Sequence, residues 1–255
     1  MNVAPKKELG QHFLVDENIL GVIGRLAKLE PDDVVLEIGP GLGVLTRFLA
    51  ARVAHVHAVE LDKSLAPHLQ DVGDNVTLHL GDALRLDLAT LAPGATKLVA
   101  NLPYNVATPI IVESLDGLPD IETWCVMVQR EVADRLFAVP RTKAYGAVSV
   151  LVQLVCARTG LHPVSRTVFR PPPNVNSALV AFRRTGLPDD FTRVKKIVVA
   201  SFAHRRKTLP NSLELSGIAS RERAVAALAT IGRDASVRAE ALAPPEFVAL
   251  TAALT

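Results

Sequence analysis

The residues best suited to chemistry in this chain lie where short apolar runs stop. Glu37-Ile38-Gly39-Pro40-Gly41-Leu42-Gly43 sets glycines at alternate positions. Such a turn lets backbone approach a ligand closely, and the start of the helix beyond it favours an anion. Val44 stands where the dinucleotide fingerprint G-x-G-x-x-G has its third glycine, and no Lys-Ser/Thr pair follows as in a P-loop. Both phosphate readings therefore lose ground. Further on, Glu60 precedes Leu61-Asp62, and Asp82 lies in Gly81-Asp82-Ala83. A carboxylate at the end of a second strand can accept both hydroxyls of a ribose. One at the end of a third can accept from an exocyclic amine such as that of adenine. Each acid also has a plainer reading: Glu60 as a surface carboxylate, Asp62 as a helix cap, Asp82 as a turn cap. In this order, at successive strand ends, they fit a nucleoside whose tail is an amino acid rather than a pyrophosphate: S-adenosylmethionine.

The elements that must position these residues are legible in the same pattern. Asp16 can cap a helix running to Leu29, with Ile19, Leu20, Ile23, Leu26 and Ala27 on one face and Pro31 beyond its end. Val34–Ile38, His55–Glu60, Val76–Leu80, Lys97–Asn101 and Thr123–Val128 read as strands. Val44–Ala51, Asp62–Asp71, Thr108–Leu115 and Gln129–Phe137 read as helices between or after them. This alternation predicts a doubly wound, mainly parallel α/β sheet, with ligands at the carboxyl ends of its strands. The last 70 residues differ: no strand pattern follows Arg184. Phe191–His204 has helical periodicity, Ser220 can cap a helix through Ile231, and Pro244-Pro245 opens a final one. A boundary near Gly186-Leu187-Pro188 divides the chain into 1–186 and a small helical domain, 187–255.

Composition narrows the class further. The chain has 255 residues, 49% hydrophobic and 21% charged, which suits a folded globular protein with a sizeable core. Cys125 and Cys156 are its only cysteines. That excludes a disulfide scaffold and a Cys-rich zinc site, and no metal is expected. Both cysteines and Trp124 read as packing residues, and the apolar stretch Tyr145–Cys156 as core. The polar start Met1–Gln11 argues against a secretory signal, and no uncharged apolar run is long enough for a membrane span. A cytoplasmic protein is expected. Net charge is only +2, but Arg141–Leu213 holds 13 Lys and Arg against two acids. That segment carries +11 and leaves −9 for the rest, which suggests a basic surface facing nucleic acid.

Asn101-Leu102-Pro103-Tyr104 closes the fourth strand. It resembles the N-[L/I]-P-[Y/F] turn of N6-adenine methyltransferases; an ordinary Asn-Pro turn with a half-buried Tyr is the alternative. The amine at adenine N6 is a poor nucleophile because its lone pair is delocalised. Acceptors for its hydrogens, the Asn101 side-chain oxygen and the Leu102 carbonyl, would hold it and aim the lone pair at a sulfonium methyl. Pro103 stiffens the turn, and Tyr104 offers a face for an extruded base. No tuned general base is needed, because the methylated ammonium is acidic enough to lose its proton to water. Three more stretches widen the resemblance: Gly10-Gln11-His12-Phe13-Leu14, Phe169-Arg170-Pro171-Pro172-Pro173-Asn174-Val175-Asn176-Ser177, and Phe202-Ala203-His204-Arg205-Arg206-Lys207-Thr208-Leu209. With Asn101–Tyr104 they look like the KsgA family of small-subunit ribosomal RNA adenine dimethyltransferases, over nearly the whole chain.

That resemblance implies a Rossmann-like class I methyltransferase domain followed by a small all-helical domain. It implies transfer of two methyls from S-adenosylmethionine to N6 of each of two adjacent adenines, in the 3′-terminal hairpin of 16S ribosomal RNA. The substrate would be a late small-subunit precursor, and the enzyme a monomer. By position, His12 and Leu14 would lie over the methionine end of the cofactor, Gly39 and Gly41 beneath it. Glu60 would hold the ribose, Asp82 and Ala83 would meet the adenine, and Asn101 would touch cofactor and target amine. Phe169 would face the target base opposite Tyr104. His12 stands where the family usually has Asn, so cofactor binding could become pH-sensitive. Arg166, Arg170, Arg205, Arg206 and Lys207 would contact RNA phosphates, with Arg183 and Arg184 flanking; Arg205-Arg206 could instead brace the domains. The erythromycin-resistance methyltransferases of 23S ribosomal RNA share much of this pattern, but the Arg-Arg-Lys-Thr-Leu run and the Pro-rich loop favour the small-subunit enzymes. A non-catalytic transcription factor of this fold would not need the intact Glu60, Asp82 and Asn101–Tyr104. A DNA adenine methyltransferase would need a larger sequence-reading domain.

Overall fold

The computed structural model describes residue 6 and residues 9–254. The N-terminal stretch gives a two-residue strand β1 (Phe13–Leu14) and helix α1 (Glu17–Ala27). Asp16 caps α1 by accepting the Asn18 N–H, and Ile19, Leu20, Ile23 and Ala27 are its buried face. There follow β2 (Val34–Ile38), α2 (Val44–Ala50), β3 (His55–Glu60), β4 (Val76–Leu80), α3 (Leu88–Leu91), β5 (Lys97–Asn101), α4 (Ala107–Gly117), β6 (Thr123–Gln129) and α5 (Arg130–Leu136). Next come α6 (Ala147–Val155), β7 (Cys156–Val164), β8 (Phe169–Arg170) and β9 (Ser177–Arg184), then α7 (Phe191–Ala203), α8 (Leu209–Leu215), α9 (Arg221–Thr230) and α10 (Pro244–Ala253).

Seven strands form one sheet in the order β4-β3-β2-β5-β6-β9-β7. β4 to β6 pair in parallel, and β9 runs antiparallel to β6. The inner strands β2, β5 and β6 are mostly apolar because both of their faces are covered, whereas β3 and the edge strand β4 alternate polar residues into their rows. The chain leaves β2 toward β3 and returns on its other side as β5. The carboxyl ends of β2 and β5 are therefore neighbours where the winding reverses, the place such sheets offer to ligands.

Contact clustering divides the chain into two units. The first comprises 1–133 and 157–184; the second comprises 134–156 and 185–255. The first holds the sheet and a core in which Ile23, Val35, Leu49, Val56, Val99, Met127 and Phe169 meet. Trp124 is fully buried, stacks on Phe182 at 5.3 Å between centroids and donates to Ser114 Oγ at 2.8 Å. The second unit is helical. Its core includes Tyr145, Phe202 and Phe247, with centroids 5.9 and 5.8 Å apart in turn, and the Tyr145 hydroxyl donates to Leu242 O at 2.7 Å. Ile197, Val198, Ala200 and Ser201 of α7 face inward as expected, and Cys125 and Cys156 are both buried.

Several elements differ from the sequence reading. The stretch expected as a helix over Asp62–Asp71 is a 3-10 segment, Lys63–Leu69, with Pro67 inside it; proline lacks the N–H that a regular helix needs. β7, β9 and α8 carry no clear periodicity: the first six residues of β9 are all buried, so no alternation marks it. The helical unit begins at 185 rather than 187 and also takes in 134–156. The sequence of α6, Ala-Val-Ser-Val-Leu-Val-Gln-Leu-Val, is apolar on almost every face, so it must be enclosed by other helices. Among the described residues no helix is long and apolar enough to cross a membrane.

Candidate active site

A pocket opens at the carboxyl ends of β2, β3, β4 and β5, and residues 9–14 line it from above. Glu37, Gly39, Glu60, Asp82, Asn101 and Tyr104 all contribute to its wall, as do His12, Leu14, Gly41, Ala83, Leu102 and Pro103. The sequence-derived cofactor residues thus converge.

The glycine turn packs so closely on its neighbours that an added Cβ would force them to shift. Gly39 has φ +75°, and a Cβ there would sit 3.3 Å from the Pro103 ring; Gly41 has φ +60°, and its Cβ would sit 3.1 Å from Phe13. Both need the left-handed region that glycine enters freely. The contact of Gly39 with Pro103 fixes the glycine turn against the Asn101–Tyr104 turn.

The acids on the β3 side are partnered. Glu60 is buried; Oε2 accepts the Gly41 N–H at 3.1 Å, and Oε1 accepts the Asp62 N–H at 2.8 Å. Burial raises its pKa, and the hydrogen bonds from Asp62 and Gly41 oppose that rise. Each carboxylate oxygen retains a second lone pair for a ligand hydroxyl. Asp82 accepts the Leu84 N–H at 3.0 Å, so it caps a turn and lines the pocket at once. Its ion pair to Arg85, at 3.5 Å and highly exposed, contributes little.

Elsewhere in the pocket two buried oxygens lack partners. Asn101 Nδ2 donates to the His12 carbonyl at 3.1 Å, which fixes the amide orientation because that carbonyl can only accept. Asn101 Oδ1 is left buried with no hydrogen bond. Glu37 Oε2 is in the same state. Burial pushes the Glu37 carboxyl up to about 8; Thr46 opposes the shift without reaching hydrogen-bond geometry, and Glu60 adds to it. Buried polar groups of this kind carry a free-energy cost until a ligand pairs with them. A cofactor with an ammonium group and a target with amino hydrogens match these two oxygens, so the residues present fit S-adenosylmethionine and an adenine. Glu37 was not among the expected site residues, although it is the one acid within an apolar strand.

Tyr104 lines the pocket with its hydroxyl hydrogen-bonded to Ser177 Oγ, and its ring centroid lies 5.3 Å from that of His12. Burial raises its pKa despite that bond. His12 Nδ1 donates to Pro171 O at 2.8 Å. The His12 ring is thus anchored to the Pro-rich loop, while its backbone carbonyl holds Asn101.

Phe169 departs from its expected place. Its ring is 1% exposed and lies in the core, while the backbone of β8 pairs with β1 in the register Leu14↔Phe169 and Phe13↔Arg170. Here the residue packs in the core rather than in the pocket wall, beside the strand that carries residues 13 and 14. Arg184 departs as well: its guanidinium donates to the carbonyls of Ile121, Leu115 and Leu118 at 2.8, 2.9 and 3.0 Å, closing the end of α4. All five basic candidates, Arg166, Arg170, Arg205, Arg206 and Lys207, are exposed. Arg205 also reaches Tyr145 O at 3.3 Å and Glu240 at 3.8 Å within the helical unit, long contacts of an exposed side chain that contribute little.

The sequence pattern of the family described as ribosomal RNA adenine dimethylase matches residues 3–245. The chain is 49% identical over 250 residues to ribosomal RNA small subunit methyltransferase A of Rubrobacter xylanophilus, covering 96% of this chain and 94% of that one. It is 45% identical to the protein of the same name from Lactiplantibacillus plantarum, covering 98% and 90%. Among solved structures, a dimethyladenosine transferase from Plasmodium falciparum superposes with a TM-score of 0.77 at 24% identity, over 94% of this chain and 96% of that one, a likeness of fold. The 23S rRNA methyltransferase ErmE superposes with a TM-score of 0.67 at 28% identity, over 95% and 99%.

Proposed function

This chain belongs to the ribosomal RNA adenine dimethylase family, and we propose that it is an S-adenosylmethionine-dependent 16S ribosomal RNA adenine N6-dimethyltransferase. Its targets are two adjacent adenines in the 3′-terminal hairpin, within a small-subunit precursor in the cytoplasm, and it acts as a monomer. The observation that carries this reading is the buried, unpartnered Asn101 Oδ1 beside Tyr104 in the pocket wall.

S-adenosylmethionine supplies an electrophilic methyl on a sulfonium. Glu60 takes the ribose hydroxyls with the lone pairs that Gly41 and Asp62 leave open. Asp82 and Ala83 meet the adenine ring, and the glycine turn with His12 and Leu14 encloses the methionine part. Glu37 takes the ammonium of that part and gives up its proton as it does so. Asn101 Oδ1 and the Leu102 carbonyl accept the hydrogens of the target amine, which localises the nitrogen lone pair and directs it. Pro103, held by Gly39, keeps the turn rigid. Tyr104, its hydroxyl tied to Ser177, presents the ring on which the extruded base rests. Catalysis is alignment plus preorganised acceptors; no residue needs to remove a proton beforehand. Arg166, Arg170, Arg206 and Lys207 hold phosphates without reading sequence.

The test is transfer of labelled methyl to unmethylated small and large ribosomal subunits in parallel, with product nucleosides identified. N6,N6-dimethyladenosine in the small subunit alone is expected. Label in the large subunit alone would reassign the chain to the 23S branch.

A further inference from the structure

The acid beside Glu60 has work beyond capping. Asp62 is buried, with its side chain 4% exposed. Oδ1 accepts Lys6 Nζ at 2.7 Å, together with the Ser64 hydroxyl at 2.6 Å and the Ser64 N–H at 3.1 Å. Oδ2 accepts Gln11 Nε2 at 3.0 Å. Gln11 Oε1 in turn accepts the Lys6 N–H at 2.8 Å. Lys6, Gln11 and Asp62 thus form a closed ring of hydrogen bonds between partners 51 and 56 residues apart in sequence. Burial disfavours the Asp62 charge, but the bonds from Lys6, Ser64 and Gln11 outweigh it and hold the carboxyl below the usual carboxylate range.

Two connections lead from this ring to the chemistry. The Asp62 N–H sets one oxygen of Glu60 at 2.8 Å. Gln11 adjoins His12, whose carbonyl fixes the amide of Asn101 at 3.1 Å. The segment that roofs the pocket is therefore tied at one end to Asp62 and at the other to β8 through β1.

We propose that Asp62 is a positioning residue, a clasp that through Lys6 and Gln11 holds residues 9–14 closed over the cofactor pocket and so joins the placing of Glu60 to the orientation of Asn101. This rests on the reading of the pocket as the S-adenosylmethionine site. The free protein spends most of its time with the roof closed, and loss of the clasp lowers the closed fraction. Apparent cofactor affinity falls by that same fraction.

Lys6→Met and Gln11→Ala each remove one of the two donors, and Lys6→Met also leaves the buried Asp62 carboxylate without its cation. Asp62→Asn exposes one of them to an amide N–H in place of an acceptor. Each single change is expected to weaken S-adenosylmethionine and S-adenosylhomocysteine binding, read by calorimetry, about tenfold, the scale of one charge-assisted hydrogen bond. Turnover at saturating cofactor is expected to fall far less than affinity, and the KM for the ribosomal substrate to stay put. Lys6→Arg is expected to restore affinity. Amide hydrogen exchange of residues 9–14 in the unliganded protein is expected to speed up in the Lys6→Met and Gln11→Ala variants. Wild-type affinity in both variants, or unaltered exchange across 9–14, overturns the clasp. So does a fall in melting temperature with unchanged affinity, which makes the ring only a fold element. Failure of the wild-type protein to bind either ligand refutes instead the cofactor reading on which the clasp depends.

Discussion

The pocket has two kinds of wall. On the β3 side, the oxygens of Glu60 and Asp62 all receive hydrogen bonds from the protein itself. At the ends of β2 and β5, Glu37 and Asn101 each keep one buried oxygen with none. The difference separates groups already satisfied by the fold from groups left open for a ligand, Glu37 for an ammonium it would hold and Asn101 for an amine it would direct. A carboxylate that only has to hold a sugar can share its lone pairs with the backbone, and the sharing keeps it in place. An acceptor that must shape a reacting amine has to be held by its other atom and left open, at a cost that the rest of the fold offsets.

That contrast can be broken by experiment, most severely at Asn101. Asn101→Ala is expected to lower kcat by roughly a hundredfold or more, the scale of losing one preorganised polar group in a transition state, while calorimetry still detects bound cofactor. Near-normal methyl transfer by this variant would make the open oxygen irrelevant. Glu37 comes next. Its folded-state pKa of about 8 lies above the ordinary 4.5, so its contribution to stability is full below pH 4.5 and is lost as pH rises through 8. Glu37→Gln should therefore shrink the difference in unfolding free energy between pH 5 and pH 9 by a few kcal/mol, at about 1.4 kcal/mol per pKa unit. Denaturant titrations of the unliganded protein at both pH values measure this, and an unaltered difference would mean that the carboxyl is not buried uncharged. Tyr104→Ala should cost roughly ten- to a hundredfold in kcat/KM for RNA, as expected for one lost stacking platform, with cofactor affinity little changed. Tyr104→Phe, which loses only the Ser177 bond, should cost far less. The smallest effect sharpens the comparison from outside the pocket. Arg184→Ala should destabilise the fold by about 1–3 kcal/mol through three orphaned carbonyls, without altering the salt dependence of RNA binding, whereas Arg206→Ala should reduce that salt dependence and leave stability alone.

Much of this site was readable because its positions are local. Glu60, Asp82 and Asn101 each end or follow a short apolar run, and such runs mark strands whose ends gather on one side of the sheet. The bounds of β2 to β5 follow the apolar runs for the same reason. What the sequence hid depends on distant partners. Phe169 stands before prolines in a segment that reads as a loop, yet its burial comes from pairing with Leu14 and from the core around it. Arg184 reads as one more cation in a basic segment, and only the end of α4, more than 60 residues earlier, gives it its carbonyls. Asp62 reads as a cap, which it is; nothing local shows Lys6 and Gln11 arriving on its other side.

The path of the chain between its two units bears on how the protein is made. α6 leaves the ribosome while the sheet is still incomplete, yet the helices that enclose it, α7 and α10, are synthesised after β9, α10 later than every other element described. Close to a hundred residues separate the ends of α6 and α10, so at about 5–20 residues per second this apolar helix waits for roughly 5–20 s without its cover. A fragment that stops after β9 would keep it waiting for good. Soluble expression of the sheet unit alone therefore requires cutting out 134–156 as well as everything beyond 184.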